Sequence, residues 1–162
     1  MLQEQELDKI TVQALCEKAG INRSTFYNHY ESPESVLVYI EHNFLTEFYN
    51  YVSQNTKPEQ QDDLCHILAQ ALTYLKENRD FCLVGLQPSL RSYFVERIFK
   101  RQFFFLLHRH HLLETASEEM LPYAQTFLIA GCGQVVELWL QSGCKESPDE
   151  IASHVSNVLE KF

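Results

Sequence analysis

Between positions 22 and 29 the chain sets out side chains that hydrogen-bond but carry little charge: Asn22, Arg23, Ser24, Thr25, Tyr27, Asn28 and His29, interrupted by Phe26. If residues 23–29 form a helix, Phe26 and Tyr30 fall four apart on one side and the polar set takes the other. A short polar set with one full positive charge suits base edges and phosphate oxygens better than a packed interior. An ordinary helical hairpin with a polar outer face would show the same pattern, so spacing alone leaves both readings open.

Other residues with chemical potential are less organised. His108, His110 and His111 cluster, but a structural zinc site needs four protein ligands and no second Cys/His cluster lies near in sequence. A position at a helix end, where imidazolium meets the negative dipole, explains them as well. Gly131-Cys132-Gly133 has no preceding strand and so fails the context a dinucleotide loop requires. Carboxylates are scattered over polar faces, and no nucleophile is singled out. No catalytic residue, metal or cofactor is expected. Five cysteines (Cys16, Cys65, Cys82, Cys132 and Cys144) form no CxxC pair and sit mostly among apolar neighbours, as reduced thiols in a cytoplasmic protein do.

The elements that position the polar set are well signalled. Thr11 can cap a helix in which Val12, Leu15, Cys16 and Ala19 share one apolar face. Gly20 follows where a residue of positive φ would stop that helix. Asn22 is then a second N-cap, and Ile21 with Phe26 has the spacing of a hydrophobic staple around it. Residues 11–30 therefore read as two short helices joined by a tight turn.

The stretch ITVQALCEKAGINRSTFYNHYESPESVL closely resembles the DNA-binding motif of the TetR family of bacterial transcription regulators, and within it the subgroup that includes regulators of dihydroxyacetone kinase genes. The resemblance covers about the first quarter of the chain, and WLQSGCKESPDEIA is similar to the C-terminal region of the same subgroup. It implies that Thr25, Tyr27 and His29 lie near DNA, with Tyr27 on a phosphate; Thr11, Asn22, Arg23, Ser24 and Asn28, from the caps and the outward polar set, complete the candidate DNA-binding surface. Two features depart from the family pattern. Only MLQEQELDKI precedes Thr11, so Leu2 and Leu7 could be the last turns of a first helix that is otherwise missing. Ser32-Pro33 also stands where many members follow the serine with a lysine that contacts phosphate.

The formal net charge of −9 argues against binding nucleic acid through the bulk field of the protein. Residues 1–30 carry Lys9, Lys18 and Arg23 against Glu4, Glu6, Asp8 and Glu17, and much of the excess lies beyond His110, where eight carboxylates face only Lys145 and Lys161. Binding should be modest and salt-dependent, with a dimer needed to double the contacts. No signal-like segment and no apolar run of membrane-spanning length is present, so a soluble, cytoplasmic protein with no membrane partner is expected.

Downstream, Ser32-Pro33 opens a helix to about residue 54, carrying Leu37, Ile40, Phe44, Phe48 and Tyr51 at helical spacing. Leu64, Ile67, Leu68, Ala71, Leu72 and Leu75 mark the next helix. Residues 80–88 read as a short connection, and 89–111 as a further helix with five basic side chains, Arg91, Arg97, Lys100, Arg101 and Arg109, read as a solvated face. Residues 117–141 form a long helix that is apolar over a wide arc around a narrow polar stripe of Gln134, Glu137 and Gln141. Gly131 and Gly133 would let a neighbouring backbone approach it. Ser147-Pro148-Asp149-Glu150 starts a last amphipathic helix with a capping box.

The reading is an all-α, TetR-like chain with a helix-turn-helix head at 1–31 and a helical effector-binding and dimerisation body at 32–162. Its expected partners are double-stranded DNA, a second copy of itself, and a small apolar or aromatic effector. Phe44, Phe48, Tyr51, Tyr74, Phe81 and Phe103 are the candidate effector pocket. Phe127, Gly131, Val135, Leu138, Trp139, Ile151, Val155 and Val158 are the candidate dimer interface, although the last two helices could instead close the monomer's own core. The rival is a helical dimeric interaction module without DNA affinity, and an enzyme has no positive support.

Overall fold

The computed structural model describes residues 1–2, 4–56, 63–94, 117–159 and 161, and all regular structure among them is helical. A 3-10 turn at Leu7–Lys9 precedes α1 (Val12–Ala19), α2 (Arg23–Tyr27), α3 (Pro33–Asn55), α4 (Leu64–Glu77), α5 (Arg79–Gly85), α6 (Arg91–Phe94), α7 (Leu121–Gln141) and α8 (Pro148–Leu159). Two compact units result, Met1–Glu47 and Phe48–Phe162. Their division falls within α3. The helix-turn-helix ends near residue 31, but the first unit continues because Tyr39 of α3 meets Tyr30 edge-on at 5.7 Å.

In the first unit, the described residues before α1 form turns and no α-helix. Met1 O accepts from the amides of Glu4 and Gln5 in a local turn, and Leu7–Lys9 makes a single 3-10 turn capped by Ile10 N donating to Leu7 O. Ile10 is buried, whereas Leu2 and Leu7 are half-buried.

The second unit is organised around α4 and α8, which pack against each other extensively. Leu64, Ile67, Leu72 and Leu75 of α4 and Ile151, Ala152, Val155 and Leu159 of α8 are buried, the i, i+3/i+4 stripes that each sequence dictates. Residues 80–88, expected as a connection, hold all of α5 but its first residue, Arg79. Seven residues cannot hold a helix by propensity alone; packing against α7 does it, with Cys82 fully buried and Arg79 Nε donating to Leu140 O at 2.7 Å. Gly85 lies directly against the ring of buried Phe94, where a β-carbon would collide with it. The 89–111 helix is described only over α6. Its remainder, including Phe103, the histidine cluster and Arg97 to Arg109, lies outside the described residues.

α8 starts as its sequence dictates. Ser147 N and Oγ both donate to Glu150 Oε2, at 2.7 and 2.9 Å, and Glu150 N donates back to Ser147 Oγ at 3.2 Å. These bonds, the Ser147 amide first, hold the Glu150 carboxyl below its ordinary pKa. A depressed folded-state pKa gives stabilisation that is present above the ordinary glutamate range and lost as pH falls through the lowered value. The Ser147 amide resonance should therefore titrate below the ordinary glutamate value, and Glu150→Gln should remove that titration. Titration at the ordinary value would show that the carboxylate is not held.

Candidate nucleic-acid interface

The two helices of the first unit are joined as sequence chemistry requires. Thr11 Oγ1 accepts from Ala14 N at 3.1 Å and so caps α1. Gly20, at φ 68° and ψ 29°, ends it: Gly20 N donates to Glu17 O at 3.3 Å and Ile21 N to Cys16 O at 3.0 Å, the paired bonds of a Schellman turn. That left-handed residue turns the chain directly into the cap of α2.

Asn22 Oδ1 takes three donors: Thr25 N at 2.7 Å, Ser24 Oγ at 2.8 Å and Thr25 Oγ1 at 2.9 Å. Both hydroxyls thus donate inward to the cap and leave acceptor lone pairs free, while Thr25 itself is half-buried. α2 is shorter than its pattern predicts. It closes at Tyr27, with His29 N and Tyr30 N both donating to Phe26 O, so Asn28 and His29 sit on the exit turn rather than on the helix. Phe26 is buried and meets the rings of Tyr27 at 5.6 Å and Tyr30 at 5.8 Å. Ile21 stays 41 % exposed, so the expected staple covers little of it.

Of the predicted contact residues, Thr11, Asn22, Arg23, Ser24, Tyr27, Asn28 and His29 are exposed, and Tyr27 presents 53 % of its surface. Arg23 has no ion pair among the described residues. At the start of α3, Ser35 Oγ accepts from Glu31 N and Ser32 N, so these amides are already engaged. The Ser32 hydrogen bond also holds Glu34 below its ordinary pKa, keeping a negative charge beside this helix start.

Residues 62–161 match the TetR_C_8 family, a transcriptional regulator C-terminal region. The chain belongs to the TetR family of transcriptional regulators. No curated protein matches it. The matched region is the body of the regulator, from just before α4 through α8, so its all-helical, TetR-like architecture stands on the family and the fold together. TetR regulators bind DNA and act as dimers.

In this regulator's body, the predicted dimer residues divide. Phe127 and Leu138 are 64 % and 59 % exposed, Gly131, Val135 and Val158 are exposed too, and Met120 and Tyr123 extend the α7 row towards its start. The space above Gly131 and Gly133 is open. Trp139, Ile151 and Val155 instead face the chain's own core: α8 spends its apolar stripe on α4, and Trp139 Nε1 donates to Glu146 O at 3.0 Å beneath the α7–α8 turn. The polar stripe of α7 also turns inward in part. Buried Glu137 receives Arg91 Nη2 at 2.7 Å and Nε at 3.2 Å, with Gln141 Nε2 at 3.1 Å, while Gln134 Oε1 accepts from the same guanidinium. Sequence reading missed this tie between α6 and α7. Its one signal was a carboxylate in the middle of the apolar run from Val135 to Leu140.

The predicted effector residues are likewise split. Phe48, Tyr51 and Tyr74 form one aromatic cluster, with centroids 5.5 Å apart for both Phe48–Tyr74 and Tyr51–Tyr74. Phe81 packs on Phe94 instead, at 5.9 Å, and Phe44 is buried in the first unit. All five cysteines are free thiols. Burial pushes Cys82 up to about 12 and Cys132 to about 11, which keeps both protonated and poorly nucleophilic. Among the described residues no group of His, Cys, Asp and Glu could hold a metal ion, and no helix is long and apolar enough to cross a membrane.

Proposed function

We propose that this TetR regulator binds a near-palindromic operator as a homodimer, reading the major groove with α2 and the turn that follows it. The observation that carries this reading is the doubly capped helix-turn-helix, which leaves Arg23, Tyr27, Asn28 and His29 exposed together. In it Arg23 and Tyr27 contact phosphate, and Asn28 and His29 flank the base edges. Ser24 and Thr25 shape the cap and accept rather than donate. Dimerisation uses the exposed α7 row with Val158, and Phe48, Tyr51 and Tyr74 mark where an apolar or aromatic effector would bias the spacing of the heads. The resemblance of residues 10–37 and 139–152 favours the dihydroxyacetone kinase regulator subgroup.

The test is retardation of a promoter fragment from the protein's own locus across a salt series. Arg23→Ala should weaken binding and lower the salt slope by about 1, the signature of one lost phosphate contact. Absence of retardation even at low salt would replace this reading with that of a dimeric interaction module, which the net charge of −9 favours.

A further inference from the structure

Asn28 and His29 stand exposed on the turn that leaves α2, not on the helix itself. Neither makes a side-chain hydrogen bond among the described residues, so the backbone of that turn sets where they point. α2 cannot hold the turn alone, because five residues make too few internal bonds to keep a helix folded. Phe26 O closes it, accepting from His29 N at 3.0 Å and Tyr30 N at 2.9 Å. The half-buried ring of Tyr30 then ties it to the rest of the unit. Its centroid lies 5.8 Å from that of buried Phe26, 6.3 Å from that of His29 and 5.7 Å from that of Tyr39 on α3. From Glu31 onward the chain is anchored to α3 by its backbone, with Glu31 N and Ser32 N donating to Ser35 Oγ.

Tyr39 is poorly explained as core. It is 51 % exposed, and the ring it meets among the described residues is that of Tyr30, edge-on at 67°. In that arrangement the positive edge of one ring meets the negative face of the other, which fixes their relative orientation as well as their distance. The contact lies wholly within the first unit. α3, at 23 residues, keeps its course without it, whereas the exit turn is short and spans the residues that point outward. We propose that Tyr39 is a positioning residue for operator recognition: by holding Tyr30 edge-on it fixes the exit turn, and so the directions in which Asn28 and His29 meet the base edges. The proposal rests on the operator reading given above. Tyr39 acts through Tyr30 and not by touching DNA, so its ring matters and its hydroxyl does not.

The experiment compares the full chain with Tyr39→Ala and Tyr39→Phe on the promoter fragment and on a scrambled fragment of the same length, across a salt series. Tyr39→Ala should weaken the promoter complex about three- to tenfold, the range of one edge-to-face contact. It should leave affinity for the scrambled fragment and the salt slope unchanged, because the phosphate contacts of Arg23 and Tyr27 are kept. Tyr39→Phe should bind the promoter within about twofold of the parent. Amide exchange gives a readout without DNA: in Tyr39→Ala the His29 and Tyr30 amides should exchange faster, with those of α1 as in the parent. Equal losses on both fragments, or faster exchange throughout the first unit, would show a packing role only and overturn the proposal. So would a Tyr39→Phe loss as large as that of Tyr39→Ala, which would put the hydroxyl on DNA. Parent binding that Tyr39→Ala leaves intact would sink the proposal alone, whereas a parent chain that retards neither fragment would sink the operator reading and the proposal with it.

Discussion

Phe127→Glu combined with Leu138→Glu is expected to give a 19.0 kDa monomer that no longer retards operator DNA. The two side chains lie eleven residues apart on α7, three turns and about 16 Å along one face. At 64 % and 59 % exposure they are among the most exposed large apolar side chains of the chain, in a row with Met120, Tyr123 and Val135. A contiguous apolar row of this length on a surface marks an interface. In a two-fold contact each substitution acts twice, so four carboxylates would be brought together where apolar surface had been buried. Operator affinity should fall by about 100-fold or more, because the second half-site is then no longer held by the first. Both side chains are largely exposed, so helix content should persist. Sedimentation is the direct measurement: a double variant that still runs as a dimer would place the interface elsewhere.

Leu140→Ala should have the opposite profile, a large loss of stability with the dimer surface left intact. Leu140 is fully buried, two residues from Leu138 but on the other side of α7, and its carbonyl receives Arg79 Nε. Deleting a buried leucine to alanine costs about 2–5 kcal/mol through lost transfer energy and the cavity left behind. The upper half of that range applies here, because α5 is too short to stay folded without α7 and cannot close over the hole as an independent element. Against a total of about 5–15 kcal/mol, such a loss lowers Tm by roughly 10 °C. With two compact units in the chain, the shift should appear in the transition of the second unit. Leu138→Ala is the control. It should leave the monomer's transition nearly unchanged and weaken only the dimer, so similar Tm losses for both would refute the assignment of α7's two faces.

The contrast between Leu138 and Leu140 shows where sequence reading stops. Both belong to the wide apolar arc of residues 117–141, and nothing in the pattern said which side met the monomer and which stayed open. The same ambiguity puts Trp139, Ile151 and Val155 in the candidate dimer interface beside Phe127 and Leu138, although all three are buried in the chain's own core. An amphipathic stripe states that a face will be covered but not by what, and α4 covers that of α8. Glu137 belongs by pattern to a narrow polar stripe, but Arg91, 46 residues away in sequence, holds it in a buried position.

Signals that specify a single capping hydrogen bond over a few residues are legible. Thr11, Gly20, Asn22 and the Ser147–Glu150 box each specify a bond to a backbone group two to five positions away, and each of those bonds forms. By itself, then, the sequence determined the helical class, the helix-turn-helix and its caps, and the resemblance to TetR regulators that the match over 62–161 supports. Only the tertiary structure decided that Ser24 and Thr25 turn their hydroxyls into the cap, that α5 exists, that Glu137 is buried, and which leucines of α7 stay exposed. The physical reason is range. Caps and turns are settled by neighbours along the chain, whereas burial is settled by whichever distant element arrives to exclude water.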